Sequence, residues 1–566
     1  MKNKDPKENR PSELPQCAAD FIELLIARMR YRKAVRAEVR TELTSHFEDA
    51  LKDCKTDDEK QQNAQRLIED FGDPKLLAVL LRRAKKRCRP LWRTAIARTF
   101  QTAAVLLLCF IVYVAWFLTG KPNISTDYVA VFNQMSRPEI SDKDNAWPHY
   151  EKTIDLFVQP NEQLTQIENF NTYSRSRHAG FESLNDSEKA AIQKWTSQNQ
   201  AAWREFAAAS SKPYCFREYR LGENNKNKWV MGILLPNLRE LKDLGNLGIW
   251  RSRIQAAHRQ PQQALQTALA VARAARHWQR KVTLLEQLIG IGLSRVAHEQ
   301  ILSILATESI SADDLTKFQR QLSEAYPDQY PLMNIQGEKL FLLDTIQQVF
   351  TDGGPGGGHL IPGRFMHAFA TAKDEDEHEK SVLPYVALGL IHAGRDETTA
   401  KANQVYEGLL RLSKMSPYQK HHTDIADEAD VILALPEYRY ALIRYFLPAL
   451  GRACELGYRS RALHQATITV LALQRWRAQK KHYPQNLTEL KEAGFLKQAP
   501  IDPYSDKPLV YKKTDDGFVL YSLGQDFKDD GGNLNRDGRG KLGRWPDEGD
   551  AVFWPLKKKN SPRRDN

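Results

Sequence analysis

The sequence predicts a mainly α-helical chain with one membrane-crossing segment and a small α+β domain near its carboxyl-terminal end. Three observations carry that expectation. Residues 103 to 119 read AAVLLLCFIVYVAWFLT, without a single charge. Apolar residues recur at helical spacing through most of 121 to 460. Two short apolar runs, Pro508-Leu509-Val510-Tyr511 and Phe518-Val519-Leu520-Tyr521, flank Asp515-Asp516-Gly517 and read as an antiparallel hairpin. At 566 residues, 42% of them hydrophobic, the chain has material for about three or four compact units.

Residues 1 to 14 are polar and Pro-bearing and are expected to be disordered. A helical domain follows over 15 to 90. Its first helix begins near Cys17 with Phe21, Leu24 and Leu25 on one stripe, and its second carries Val35, Val39, Leu43 and Phe47 at every fourth position. Thr56-Asp57-Asp58-Glu59 is a capping-box pattern opening a third helix, which stops at Gly72-Asp73-Pro74. A fourth bears Leu76, Leu77, Leu80 and Leu81. His46 shares the stripe of Leu43 and Phe47, so a packed or capping histidine is expected rather than a metal ligand.

The uncharged run, extended back to Phe100, is long enough to cross a bilayer core at about 1.5 Å per residue, and Tyr113 and Trp116 fall toward one end as interfacial aromatics do. A transmembrane helix is expected over 100 to 119. Arg82, Arg83, Lys85, Lys86, Arg87, Arg89, Arg93 and Arg98 crowd the preceding flank, whereas Lys121 and Arg137 alone follow closely. The positive-inside rule then places the amino-terminal part in the cytoplasm and the bulk outside. A cleaved signal peptide is not expected, because about a hundred residues precede the run. The net charge of +12 is concentrated in this flank and in a basic tail over 557 to 566, so no nucleic-acid face is expected. Six cysteines without a CxxC pair argue against zinc; Cys215 and Cys454 either pair outside the cell or stay as buried thiols.

The external segment, 121 to 455, is expected to be an irregular α-hairpin scaffold. Asn185 with Glu188, and Ser311 with Asp314, mark helix starts. Small residues, Gly248, Ala264, Ala268 and Ala272, permit close approach of one helical pair. Gly353-Gly354-Pro355-Gly356-Gly357-Gly358 lacks the Lys-Ser/Thr and the strand of a phosphate loop and reads as a flexible connection. Residues 373 to 380 read as a solvated charged segment. His421-His422-Thr423-Asp424-Ile425-Ala426-Asp427-Glu428 reads as a polar helix start rather than a metal site. No nucleophile elbow or His-Glu-x-x-His helix occurs, so no enzyme, catalytic residue, organic cofactor or small-molecule substrate is expected.

The final domain, 456 to 556, combines a helix ending at Lys480-Lys481-His482-Tyr483-Pro484 with the hairpin and an Asp/Gly-rich loop. Asn533-Leu534-Asn535-Arg536-Asp537-Gly538 repeats the opening spacing of an EF-hand, but Arg544 stands where the closing Glu belongs. Tyr483-Pro484, Asp502-Pro503, Ser522-Leu523-Gly524-Gln525-Asp526 and Asp550, in this order after a long helix, resemble the globular domain of type II secretion major pseudopilins. The resemblance covers under a fifth of the chain, from 462 to 556. It implies a small α+β fold and a calcium ion on the terminal loop, with Asp526 and Asp550 the best-matched ligands and Asp529, Asp530, Asn533, Asn535 and Asp537 as further oxygen donors. The alternative is a turn held by its own side-chain to backbone hydrogen bonds. The pilin family carries its apolar helix directly before the globular part, and here that helix lies hundreds of residues earlier, so pilus assembly is not implied. At the other end, Glu42-Leu43-Thr44-Ser45-His46 and Phe71-Gly72-Asp73-Pro74 resemble the HAAS-type or permease-prefix domains of bacterial membrane proteins.

The expected protein is a bacterial, single-pass protein of the inner membrane with protein partners on both sides and a structural or interaction role. Two alternatives stand beside it: a transmembrane signalling protein using the cytoplasmic head, and an exported hydrolase with His421, Asp424 or His392 in the helical middle.

Overall fold

The computed structural model describes residues 14–87, 91–118, 120–139, 141–173, 180–222, 229–233, 235, 237–326, 330–370, 383–423, 428–447, 450–533 and 544–556. The chain is mainly helical with one three-stranded sheet, and it divides into two compact units, Met1–Trp116 and Phe117–Asn566.

In the first unit, helices α1 (Gln16–Arg28), α2 (Lys33–Ala50), α3 (Asp57–Phe71) and α4 (Pro74–Arg87) enclose a core of Phe21, Leu25, Val39, Leu43 and Phe47. Thr56 accepts from the Glu59 amide and caps α3, while the Glu59 carboxylate turns to the Lys55 amide, so only half of the expected capping box forms. Gly72, at φ 70°, ends α3 in a backbone conformation that glycine adopts without strain. Lys85 reaches back from α4 to Glu38 and Glu42, at 2.8 Å each. His46 is exposed and lies edge-on to Phe71, 5.6 Å between ring centres.

Helix α5 runs Leu91–Leu118, starting well before the expected Phe100. At about 1.5 Å per residue it is about 42 Å long. Among the described residues two helical stretches are long and apolar enough to cross a membrane, Ala95–Leu118 and Leu284–Thr307, with 6% and 61% of their most apolar 18 residues buried. The second is hydrophobic on most sides because protein surrounds it.

The second unit is built on α6 (Leu238–Ala257), α7 (Pro261–Gln279), α8 (Leu284–Thr307) and α9 (Ala312–Glu324). Where α6 meets α7, Gly248 leaves no room for a Cβ beside Val271 and Trp203, and the Ser252 hydroxyl donates to the Ala264 carbonyl at 2.8 Å. The small residues of this pair do permit the close approach expected of them. A second core lies under helices Gln336–Val349 and Arg395–Ser413, with α10 (Leu383–Ile391) packed beside it through Leu388. The Gly353 to Gly358 segment is a tight turn, closed by hydrogen bonds between Gly353 and Gly357 and between Gly357 and Gly354, rather than a loose connection. Residues 373 to 380 lie outside the described residues.

Helix α11 (Leu450–Lys480) contributes Leu450 and Cys454 to the second core and Ala462 through Trp476 to the first. The domain boundary expected near 455 therefore falls within one continuous helix. After α12 (Leu487–Glu492), strands β1 (Val510–Lys513), β2 (Phe518–Ser522) and β3 (Ala551–Trp554) form an antiparallel sheet in the order β1-β2-β3. Phe518, Leu520 and Phe553 join the same core as Trp476, Phe495 and the α6 to α9 helices. Cys215 and Cys454 are both free thiols.

Helices α7 and α8 approach so closely that a Cβ on Gly290 would lie 2.5 Å from the Gln279 amide and 2.8 Å from the Ala275 carbonyl oxygen. Neither backbone atom can give way as a side chain would. Gly290→Ala is expected to cost about 1 to 3 kcal/mol, read as a lower apparent melting temperature of the full chain in detergent. Unchanged stability would mean that the two helices are not held this close.

Candidate functional site

The loop between β2 and β3 begins with Leu523-Gly524, and Gly524 lies so close to the Gly549 carbonyl that a Cβ would collide with it. The chain therefore returns to its starting point after about 25 residues, as a closed neck. At that neck the Asp526 carboxylate accepts from the Gly549 amide at 2.7 Å and from the Lys528 amide at 3.2 Å. Asp529 accepts from the Tyr521 hydroxyl at 2.6 Å and the Gly531 amide at 2.9 Å, which hold its carboxyl below the usual range. Asn533 donates to the Asp530 carbonyl at 2.6 Å.

Asp550 differs from these. Its side chain is fully buried, Oδ2 accepts from the Gly532 amide at 2.6 Å, and Oδ1 has no hydrogen-bond partner among the described residues. Burial pushes its carboxyl up to about 6, and the neighbouring Asp529 and Asp530 push the same way. At the neck Asp526 bonds the amide of the residue before Asp550, and Asp529, Asp530 and Asn533 lie on the same loop. Asn535 and Asp537 lie outside the described residues. Among the described residues no group of three or more His, Cys, Asp or Glu side chains is placed to hold a metal ion.

A second buried carboxylate anchors this loop. Asp502 accepts from the Ser522 hydroxyl at 2.5 Å, the Leu523 amide at 3.0 Å, the Tyr504 amide at 3.1 Å and the Ser505 hydroxyl at 3.2 Å. The Asp-Pro step and the Ser-Leu-Gly step are therefore two halves of one hydrogen-bonded joint. Burial still pushes the Asp502 carboxyl up against these four donors. From α11, Glu455 accepts from Tyr504 and Arg459, at 2.6 Å each, and from Gln525 at 3.0 Å, so the helix grips both loops.

The histidines considered for catalysis do not converge. His421 stacks on Phe527 with ring centres 4.1 Å apart, and His422 bonds the Tyr418 carbonyl. The pair ends a short helix, Pro417–His421, rather than starting one, because Ser416 caps that helix with Gln419 three residues later. Asp424 and Asp427 lie outside the described residues. His392 is buried elsewhere, bonded to the Ala393 carbonyl at 2.9 Å, and burial lowers its affinity for a proton.

A buried polar cluster joins α8 and α11, and no local pattern announces it. His298 Nδ1 lies 2.7 Å from the Ser294 carbonyl and donates to it; burial keeps both rings neutral, so Nε2 accepts from His464 Nδ1, 3.0 Å away. Tyr330 bonds Ser294, Ser460 and Gln279 beside them, at 2.7, 2.5 and 2.7 Å, and His464 lies against the Tyr326 and Tyr330 rings. Burial holds the His298 imidazolium down to about 4 and that of His464 well below the usual value.

A histidine whose folded affinity for protons is depressed lends stability that is present above the unfolded value of about 6.5 and is lost as the pH falls toward the folded one. Denaturation of the full chain is expected to show that loss between pH 6.5 and about 4, with His298 contributing about 3 kcal/mol. The slope should flatten in His298→Gln; an identical slope would exclude the pair as its source. Comparison with known protein families, with curated proteins and with solved structures finds no match for this chain.

Proposed function

We propose that the chain is a single-pass bacterial envelope protein with a cytoplasmic helical head, an external helical body and a pilin-like α+β module, serving a structural or protein-interaction role. One observation carries this reading. Of the two helices apolar enough to cross a membrane, Leu284–Thr307 is surrounded by protein, whereas Val105, Leu106, Leu107, Leu108, Phe110 and Ile111 on α5 are left uncovered. A helix of that length with bare apolar sides calls for a lipid surrounding. The basic flank before it supports a cytoplasmic head.

The order of long helix, Asp-Pro joint, antiparallel sheet and closed Asp/Gly loop supports the pilin-like reading of the distal module. Calcium fits the loop through Asp550 Oδ1, which lacks a partner, with Asp526 and backbone carbonyls of the neck as further oxygens. The ion would supply the positive charge against which Asp550 can ionise while buried. Asp526 and Asp529 already accept backbone amides, which supports the self-held turn as their own role.

The membrane reading predicts that alkaline carbonate leaves the protein in the membrane pellet, and that protease added to spheroplasts digests the part after residue 121 while sparing the head. A protected carboxyl-terminal half would reverse the topology, and release by carbonate would remove it. The calcium reading predicts that calcium, but not magnesium, raises the melting temperature of the full chain by about 2 °C or more. Asp550→Asn should abolish that response and, without calcium at pH 8, be up to about 2 kcal/mol more stable than the native chain. No response, with Asp526→Ala equally stable, would eliminate the site.

A further inference from the structure

Within the second unit, the last turn of the apolar helix and the residues just after it are fastened to their surroundings. Phe117 is buried, its ring stacks on His359 with centres 4.6 Å apart, and its carbonyl lies 3.2 Å from His359 Nε2. That contact gives a partner to a helix-end carbonyl that would otherwise face lipid headgroups. Two residues of the next turn are held as well: Gly120 abuts Thr351, and Pro122 pairs with Thr351. On its other side Phe117 meets α10, where a Cβ on Gly389 would stand 2.9 Å from the Phe117 ring.

Helix α10 reads LPYVALGLI and carries no charge. Its inward side is Leu388, Gly389 and then His392 just beyond its end. Its outward side is Ala387, Leu390 and Ile391, three and four residues apart and so on one face. Leu390 is 55% exposed and Ile391 58%. A surface helix of a water-soluble body puts polar residues on that face. Tyr438, 62% exposed, stands beside it, because the next residue, Arg439, accepts from the Ala393 amide at 3.0 Å.

We propose that the Ala387, Leu390 and Ile391 face of α10, with Tyr438, is a bilayer-docking surface that lies in the outer interface of the membrane next to the exit of α5. The inference rests on the membrane reading of α5 and adds a second point of lipid contact to it. Phe117 belongs to the uncharged run 103 to 119, so it marks the outer edge of the apolar layer. Gly389 touches that ring, and Leu390 is the next residue, about 3.8 Å further along the backbone. An apolar face at that depth is where interfacial helices bury leucine and isoleucine and keep a tyrosine at the headgroups.

The test places a photoreactive benzoylphenylalanine at position 390 or 391 of the full chain in nanodiscs of phosphatidylethanolamine and phosphatidylglycerol. Position 107, on α5, and position 501, where Ile501 is exposed on the distal module, serve as references. Irradiation is expected to give phospholipid adducts at 390, 391 and 107, about tenfold above position 501. Adducts at 107 with none at 390 and 391 would overturn the docking surface and leave the membrane helix standing. A chain-to-chain adduct at 390 would likewise overturn it, in favour of a second copy as the occupant. Absence of lipid adducts at 107 would overturn both readings together.

Discussion

Burial of helix α11 from Leu450 to Trp476 is the constraint on which the second unit depends. Its 31 residues extend about 46 Å, and they supply side chains to two separate hydrophobic cores. The first turns settle on the core beneath Gln336–Val349 and Arg395–Ser413, and the later ones on the α7 to α9 core. A stiff element shared by two cores forces them into one cooperative body, since neither can rearrange without exposing part of it. The sheet inherits its position from the same helix. Glu455 and Arg459 on α11 hold Tyr504 and Gln525, and Asp502 passes that hold to the end of β2.

What could be read in advance was local. The Asn185 and Glu188 capping box forms as its spacing requires, and Ser311 caps α9 through Asp314, because such bonds involve neighbours three residues apart. The hairpin register, with Lys513 opposite Phe518, likewise follows from a short turn. The closed neck was not legible in composition, which does not say that Gly524 and Gly549 touch or that Asp526 bonds the Gly549 amide. The His298 and His464 contact joins residues 166 positions apart, and each histidine sits in a helix whose pattern reads as ordinary core. Strand β3 was equally silent: Ala551 to Trp554 is too short to show a period, and it becomes a strand because β2 offers an open edge.

The two buried carboxylates show how similar residues acquire different roles. Asp502 is surrounded by two hydroxyls and two amides, which saturate it and make it a joint. Asp550 accepts the Gly532 amide on Oδ2, the Asp530 amide also favours its charged form, and Oδ1 has no hydrogen-bond partner among the described residues, in a loop that contains Asp529 and Asp530. A satisfied carboxylate fixes the joint, whereas one with an unfilled oxygen carries an unmet electrostatic demand.

Helix α8 carries a consequence for biosynthesis. On the proposed topology, export machinery meets Leu284–Thr307 before α11 has been made to cover it, and must decide from the nascent segment alone whether it stays in the membrane. Glu286, Arg295, His298 and Glu299, with Gln287, Ser294 and Gln300, interrupt the apolar stretch. Near the helix centre a charge such as Arg295 weighs against retention in the bilayer by roughly 2.5 to 3.5 kcal/mol, and Glu286 at the helix start by less. On that topology, the polar residues that bind Tyr219 and the His464 ring would weigh against retention of α8 in the bilayer.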